Sequence, residues 1–445
     1  MTLVETARRV QSSAVSAREA VETCLERIER LDPLLNAFIH VRGEEALAEA
    51  ERAPEGPLHG VPVAVKDVID VAGSPTTAAS KVLADNVAGG DAGCVDRLRR
   101  AGAIVVGKLN THEFALGATT TSPHFGPAHN PWDLERTCGG SSGGSGVAAA
   151  ADLVPGTLGT DTAGSIRIPA CYCGVTGLRP TIGVVPTTGV VPVSWTLDTV
   201  GPIARSAEDC ALLHAVIAGE RCEPVEGIRG LRVGVVDALF DRADPAVAAQ
   251  VSTAVDELAR LGATLERVEV PLLDDAGTIN QLVLLTEAAE VHVRWLRTRL
   301  RDYGDDVRAR LLAGLFLPST AHVTGLRARR WFDDGLRGVF ERVDVLVAPE
   351  MPVLPPRIGS DTVSLGGREL PHRLALIPFN SPWSLAGLPV VSTPAGFVDG
   401  MPVGLAIVGR RRTEEVVLGV AHTLQKATDW HEQRPPLAAG HPSNE

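Results

Sequence analysis

The stretch CGGSSGGSGVAAAADLVPGTLGTDTAGSIRIPACYCGVTGLRPTIG, residues 138–183, interleaves glycine, serine and threonine with alanine, valine and isoleucine. Glycine lets main chain approach a ligand or another main chain closely, at a cost of about 0.5–1 kcal/mol per residue in regular structure. Ordinary loops run over the surface and have no need of so many small residues set among apolar ones. The segment therefore reads as backbone packed tightly around something. Short elements fit inside it: a small-residue helix over Gly144–Ala151 and a strand over Ile182–Val185.

On either side the chain alternates between helix and strand patterns. Ser16 and Glu19 match a capping box ahead of apolar residues at Val21, Cys24, Leu25, Ile28 and Leu31, and Asp32-Pro33 is expected to end that helix. PVAVKDVIDV (62–71) reads as a buried strand and a turn and AIVVG (103–107) as a buried strand, with a helix over Cys94–Arg100 between them. Helices over Ser206–Ile217 and Pro245–Leu261 and strands at LRVGVV (231–236) and ATLERVEV (263–270) continue the alternation. Strands at VDVLVAP (343–349), PVVSTPAG (389–396) and PVGLAIVG (402–409), then a helix over Thr413–Trp430, complete it. The pattern indicates an α/β fold in one domain over 1–445, with a more charged, mainly helical block at about 279–340 beside the substrate entrance.

The chain has 445 residues with 54 acids against 42 bases, a net charge of −12, which argues against a nucleic-acid surface. No apolar run is long enough to cross a membrane, and MTLVETARRV is no secretion signal. With seven cysteines and no signal, a reducing compartment, the cytoplasm, is expected, with the thiols packed as small hydrophobes. Cys171 and Cys173 lack a second pair at ligand spacing, so neither metal nor cofactor is expected.

Three familiar patterns fail on chemistry. Gly102–Lys108 begins like a phosphate-binding loop, but Leu109 supplies no hydroxyl for magnesium and AIVV is a strand. His112-Glu113 begins like a zinc helix, but Leu116 stands where the second histidine is needed. GGSSG matches a nucleophile elbow, yet LERTC is a poor strand to precede one.

A serine nucleophile can use lysine as its base if burial keeps the amine neutral for part of the time. The chain has four lysines, and Lys66 sits among Val63, Val65, Val68 and Ile69. A charged amine there costs several kcal/mol unless it is paired. Pairing with Asp67 or Asp70 is the structural alternative to a catalytic role.

Several stretches resemble the amidase signature family of serine hydrolases. They are GPLHGVPVAVKD (56–67), the block Asn130–Gly183, WTLDTVGPIARSAED (195–209), and FNSPWSLAGLPVVSTPAG with GMPVGLAIVGR (379–396, 400–410). The resemblance runs from about Ser16 to Leu437. It implies a large mixed, twisted β-sheet covered by helices on both faces, and a Ser-cisSer-Lys triad. By position the lysine is Lys66, the bridging serine Ser141 and the nucleophile Ser165. Backbone N–H groups of Thr162, Ala163, Gly164 and Ser165 would form the oxyanion hole, with Gly140, Asp161 and Arg167 as structural support. Ser142 and Ser145 are expected to bond local backbone instead. Ala163 departs from the family, which more often has glycine there.

The implied activity is hydrolysis of linear amides through an acyl-enzyme on Ser165, in the C–N hydrolase class EC 3.5. No arginine or lysine is plainly aimed at a substrate carboxylate, so a small apolar or aryl amide is preferred, with esters and carbamates (urethanes) as further substrates. Phe114, Gly117, Phe316, Phe379 and Trp383 are the candidate pocket residues. Alternatives are a ureido hydrolase of biuret or allophanate type, and an amidotransferase-type partner subunit or non-catalytic binding protein. TEAAEVHVRWLR (286–297) lacks the segment of the family's amidotransferase branch, which favours a free-standing enzyme. Its expected partners are a small molecule and a second copy of itself, with no nucleic acid and no membrane.

Overall fold

The computed structural model describes residues 2–438. Eleven strands form one mixed sheet. In chain order they are β1 (Phe38–Val41), β2 (Pro62–Lys66), β3 (Ile104–Leu109), β4 (Gly156–Asp161), β5 (Thr176–Arg179), β6 (Thr199–Ala204), β7 (Arg232–Val235), β8 (Thr264–Arg267), β9 (Val345–Pro349), β10 (Val390–Val398) and β11 (Met401–Gly409). Their spatial order is β1-β3-β2-β4-β6-β5-β10-β11-β9-β7-β8. β3, β2 and β4 run parallel, as do β9, β7 and β8, while the strands between them pair antiparallel.

Side chains on a strand alternate between faces, and here both faces are covered. Val63, Val65 and Val105 enter one apolar core, whereas Ala64, Ile104 and Val106 enter another. Helices flank the sheet, and the alternation predicted from the sequence becomes an α/β layer structure. No helix among the described residues is long and apolar enough to cross a membrane.

Most expected elements are present, and three differ. The capping box at Ser16 starts a helix over Ala17–Leu35, which runs through Pro33 instead of ending there. Asn36 closes it in the left-handed region, and the Asp32 carboxylate turns back to accept from the N–H groups of Ala37 and Phe38. Residues 182–185 form a turn rather than a strand: Gly183 has φ +81° and the Val184 N–H closes back on the Thr181 carbonyl. Residues 379–386, where the sequence marks no element, belong to the helix His372–Ala386. All seven cysteines are free and buried.

Three helices, Leu273–Thr298, Asp305–Phe316 and Ser319–Arg342, fill the interval between β8 and β9. Buried carboxylates tie them to the sheet layer. Glu287 accepts from the hydroxyls of Ser194 and Thr196, and Glu113 accepts from Ser80 Oγ and from the N–H of Gly304.

Candidate active site

Lys66 ends β2, a strand buried along its whole length, and its side chain has no exposure to solvent. Its Nζ lies 2.7 Å from Ser141 Oγ and 2.8 Å from Thr160 Oγ1. Burial lowers the amine from 10.5 to about 7, against the pull of the Asp161 and Asp198 carboxylates in the opposite direction. The neighbouring acid Asp67 does not pair with it. Asp67 faces Lys108, with Oδ1 at 2.9 Å from that Nζ, and Thr76 Oγ1 and the Pro75 carbonyl complete the Lys108 shell. The pairing alternative for Lys66 is thus taken by a different lysine. The same contact makes Lys108 a strut inside the sheet and not part of a phosphate loop.

Ser141 follows a cis peptide bond at Gly140-Ser141. Its carbonyl accepts from the His112 N–H and from the hydroxyls of Thr111 and Thr120, which fixes the turn against the chain after β3. Gly140 is needed for that approach: a Cβ would stand 2.6 Å from the Thr119 backbone nitrogen. Ser142 Oγ donates to the Thr160 carbonyl and Ser145 Oγ to the Leu158 carbonyl, as expected of serines that hold backbone. The short helix Gly143–Ala150 then carries the chain beneath the sheet.

The loop from β4 to the helix Arg167–Cys173 presents Ser165. Ser165 Oγ takes no hydrogen bond among the described residues, and Ser165 lines an open cleft. Asp161 organises the loop. It accepts from the N–H groups of Gly164 and Ile166 and pairs with Arg167 (3.0 Å) and Arg179 (3.1 Å), all buried. Burial opposes ionisation of Asp161, but the two guanidinium charges outweigh it and hold the carboxyl well below the usual carboxylate range. Gly164 has φ +120°, and a Cβ there would sit 2.1 Å from Asn380 Oδ1. The Gly164 N–H is committed to Asp161, so it is not among the free donors of this loop. The N–H groups of Thr162, Ala163 and Ser165 have no acceptor among the described residues. Thr162 Oγ1 donates to Asp198, which also holds the Val193 and Ser194 N–H groups.

The cleft at Ser165 is narrow, with about 60 Å³ of free room. It is walled by Leu116, Gly117, Ile168, Leu284, Leu376 and Ile377, with Gln281, Arg310, Arg373 and Ser381 as polar members. Of the five pocket residues read from the sequence, only Gly117 lies on it. Phe114 is buried against His292, Trp295 and Tyr303, Phe379 and Trp383 belong to an apolar core, and Phe316 is exposed at a helix end. Aromatic bulk suits a pocket wall, but large rings are also what cores use. The two arginines carry no motif, and they converge only because both of their helices pack on the helix Leu273–Thr298.

No group of three or more His, Cys, Asp or Glu side chains among the described residues is arranged to hold a metal ion. Glu113, half of the failed zinc pattern, is consumed by its bonds to Ser80 and Gly304.

Comparison with known proteins agrees with this architecture. A family model described as Amidase matches residues 19–418. One subunit of the glutamyl-tRNA(Gln) amidotransferase of Methylococcus capsulatus is 37% identical, covering 98% of each chain. A solved structure described as an amidase superposes with a TM-score of 0.92 at 35% identity, over 96% of this chain and 100% of its own. Another, from a vestigial protein complex described as revealing the origins of an s-triazine catabolic enzyme, gives 0.90 at 36% identity, over 96% and 98%.

One expectation is corrected here. The sequence favoured a free-standing enzyme whose partners were a small molecule and a second copy, with no nucleic acid. A relative that matches nearly end to end is instead named as one subunit of an enzyme that handles glutamyl-tRNA(Gln). The segment 286–297, on which that expectation leaned, lies in the long helix Leu273–Thr298, where only Glu287, Ala288, Ala289, His292 and Leu296 are buried. Trp295 packs on Phe114 and Thr286 bonds His322, while Glu290, Arg294 and Arg297 face solvent, so a mismatch at those three carries little weight. The match over 19–418, the mixed sheet and the full-length relatives agree that this chain is a C–N hydrolase and belongs to the amidase family.

Proposed function

We propose that the chain hydrolyses a carboxamide through an acyl-enzyme on Ser165. Ser165 Oγ attacks the carbonyl carbon as Ser141 takes its proton and passes its own to the neutral amine of Lys66. The proton returns through Ser141 to the departing nitrogen, which leaves as ammonia or an amine, and water releases the acyl group by the same route. The observation that carries the reading is the buried Lys66 amine, held 2.7 Å from Ser141 Oγ. The N–H groups of Thr162, Ala163 and Ser165 meet the developing oxyanion, and loss of one such donor typically costs roughly 3 kcal/mol of transition-state stabilisation. Asp161 and Arg167 position this loop, Gly140 positions the turn that carries Ser141, and none of them exchanges protons. The helices of the 279–340 block form the cover over the cleft.

The amidotransferase relatives support a role as the amide-hydrolysing member of such an assembly. The preference for an apolar or aryl amide gives way to this reading. The test is a fluorophosphonate adduct located by peptide mass spectrometry. Labelling at Ser165, lost in Ser165→Ala and strongly slowed in Lys66→Ala, supports the relay. Labelling at Ser142, or labelling of Ser165 indifferent to Lys66, refutes it. For the assembly, release of ammonia from a carboxamide is compared with and without amidotransferase partner subunits and glutamyl-tRNA(Gln). A rate that the partners and RNA leave unchanged counts against the role in such an assembly.

A further inference from the structure

Behind the loop that carries Ser165 lies a buried group of side chains whose polar atoms do not all find partners. Glu350, directly after β9, has no exposure to solvent, and neither of its carboxyl oxygens takes a hydrogen bond among the described residues. It faces Arg167, whose Nη1 lies 3.5 Å from Oε1 and is also without a hydrogen bond there. The remaining Arg167 donors are engaged, Nε and Nη2 by Asp161 and Nη2 by Ser384 Oγ. Asn380 belongs to the same group: its Nδ2 donates to the Glu350 carbonyl, and its Oδ1 is a third free acceptor.

Donors and acceptors decide the charge of Glu350. Ionised, it sets three buried acceptors, its two oxygens and Asn380 Oδ1, against one free donor, Arg167 Nη1. Protonated, it supplies a second donor and leaves two acceptors, so the numbers match. Distance agrees with this. A carboxylate paired with a guanidinium closes to about 2.7–2.9 Å. Glu350 stays 3.5 Å from Arg167, while Asp161 holds the same side chain at 3.0 Å. Burial pushes the Glu350 carboxyl up to about 8 against the pull of Arg167, and the Asp161 charge adds to the rise. The other titratable group beside it is the Cys171 thiol, which burial keeps well above its usual range and so uncharged. The helix His372–Ala386 contributes the uncharged Asn380, and β11 contributes the Gly404 carbonyl, which accepts the Glu350 N–H.

We propose that Glu350 is held as a neutral carboxylic acid and positions the Ser165 loop through Arg167 and Asn380. A neutral acid is a weaker acceptor than a carboxylate, so it supports Nη1 without drawing the guanidinium away from Asp161. Asp161 in turn holds the N–H groups of Gly164 and Ile166, on either side of Ser165. Asn380 is fixed by the Glu350 carbonyl and by Arg167 Nη2 on its own carbonyl. Its Oδ1 abuts Gly164, where a Cβ would stand 2.1 Å away. Glu350 does not line the cleft, so it acts on the orientation of the loop and not on the proton relay. The positioning role rests on the reading of Ser165 as the nucleophile, whereas the proton on Glu350 can be tested without it.

Glu350→Gln copies the neutral acid and should label at Ser165 with a fluorophosphonate within about twofold of the wild-type rate. Glu350→Leu offers Nη1 no acceptor, and Glu350→Asp draws the acid back by one methylene. Each should label at least about tenfold more slowly per folded molecule. At about pH 6, where ordinary carboxyls are ionised, the infrared spectrum of the wild type should contain a protonated carboxyl band that Glu350→Gln lacks. The stability tied to this proton is complete below about 4.5, where an exposed glutamate titrates, and is lost as pH rises through about 8. Glu350→Gln keeps it, so the variant should gain in melting temperature over the wild type as pH rises from about 5 to about 8. Tenfold slower labelling of Glu350→Gln, no such band, or a melting-temperature difference indifferent to pH overturns the neutral acid. Glu350→Leu labelling as fast as the wild type overturns the positioning role, and if that variant does not fold, Glu350→Asp decides in its place. If wild-type Ser165 never labels, the hydrolase reading fails, and the infrared band and melting temperatures still accept or reject the proton on Glu350.

Discussion

The charge state of Lys66 should govern the rate at which Ser165 is acylated, and the pH profile of labelling measures it. The amine is lowered from 10.5 to about 7, a difference on the order of 5 kcal/mol at about 1.4 kcal/mol per unit. A base with that value is about one-tenth neutral at pH 6 and about nine-tenths neutral at pH 8. Labelling should therefore rise about tenfold over that interval and level off above it. A lysine near 10.5 would give about a hundredfold rise with no plateau, and a site that does not use an amine would be flat. Stopped-time labelling with a fluorophosphonate, corrected for loss of the probe, separates the three. A hundredfold climb without a plateau, or a flat line, refutes the argument that burial makes Lys66 a base. Stability follows the same shift. Between about 7 and 10.5 the unfolded chain holds a proton on this lysine that the folded chain does not, so stability increases with pH across that window and the gain is lost as pH falls to 7.

Ser141→Ala removes the hydroxyl between lysine and nucleophile. It should cut labelling of Ser165 by about a thousandfold or more while the melting temperature changes little, measured by labelling and calorimetry. Gly164→Ala places a methyl against Asn380 at φ +120°, and is expected to slow labelling at least a hundredfold and to cost about 2–3 kcal/mol in urea unfolding. Arg167→Met leaves Asp161 with one cation in place of two, and should cost about 3–5 kcal/mol by the same measurement. Asp67→Asn strips Lys108 of its carboxylate and should cost a similar amount, while Ser165 stays reactive in whatever fraction folds.

Seven of the eleven strands could be followed in the sequence, whereas β1 and the central, glycine- and threonine-bearing β4, β5 and β6 could not. PVAVK, AIVVG and VDVLVAP are short, β-branched and bounded by breakers. Lys66 drew notice because a lysine amid valines is costly as packing, whereas Ser141 and Ser165 were singled out through the family resemblance. What stayed hidden depends on tertiary approach. Thr160, whose hydroxyl shares Lys66 Nζ, looks like any strand threonine. The commitment of the Gly164 N–H to Asp161 is visible only once the loop has closed. Arg373 and Ser381 sit in an ordinary helix, and nothing in HRLALIPFNS says which side chains face a cleft made by a distant part of the chain. Phe379 and Trp383 drew notice by size in that same helix and proved to be core.

Lys66, Ser141 and Ser165 come from one run of about a hundred residues around β2, β3 and β4. Gln281, Arg310, Arg373 and Ser381 come from helices inserted later, before and after β9. The two groups meet at the cleft but are anchored to different neighbours. Changes in the inserted helices can therefore redraw the cleft beside Ser165 without moving Lys66, Ser141 or Ser165. A chain built this way can exchange one diet for another by surface revision, and its chemistry is inherited intact.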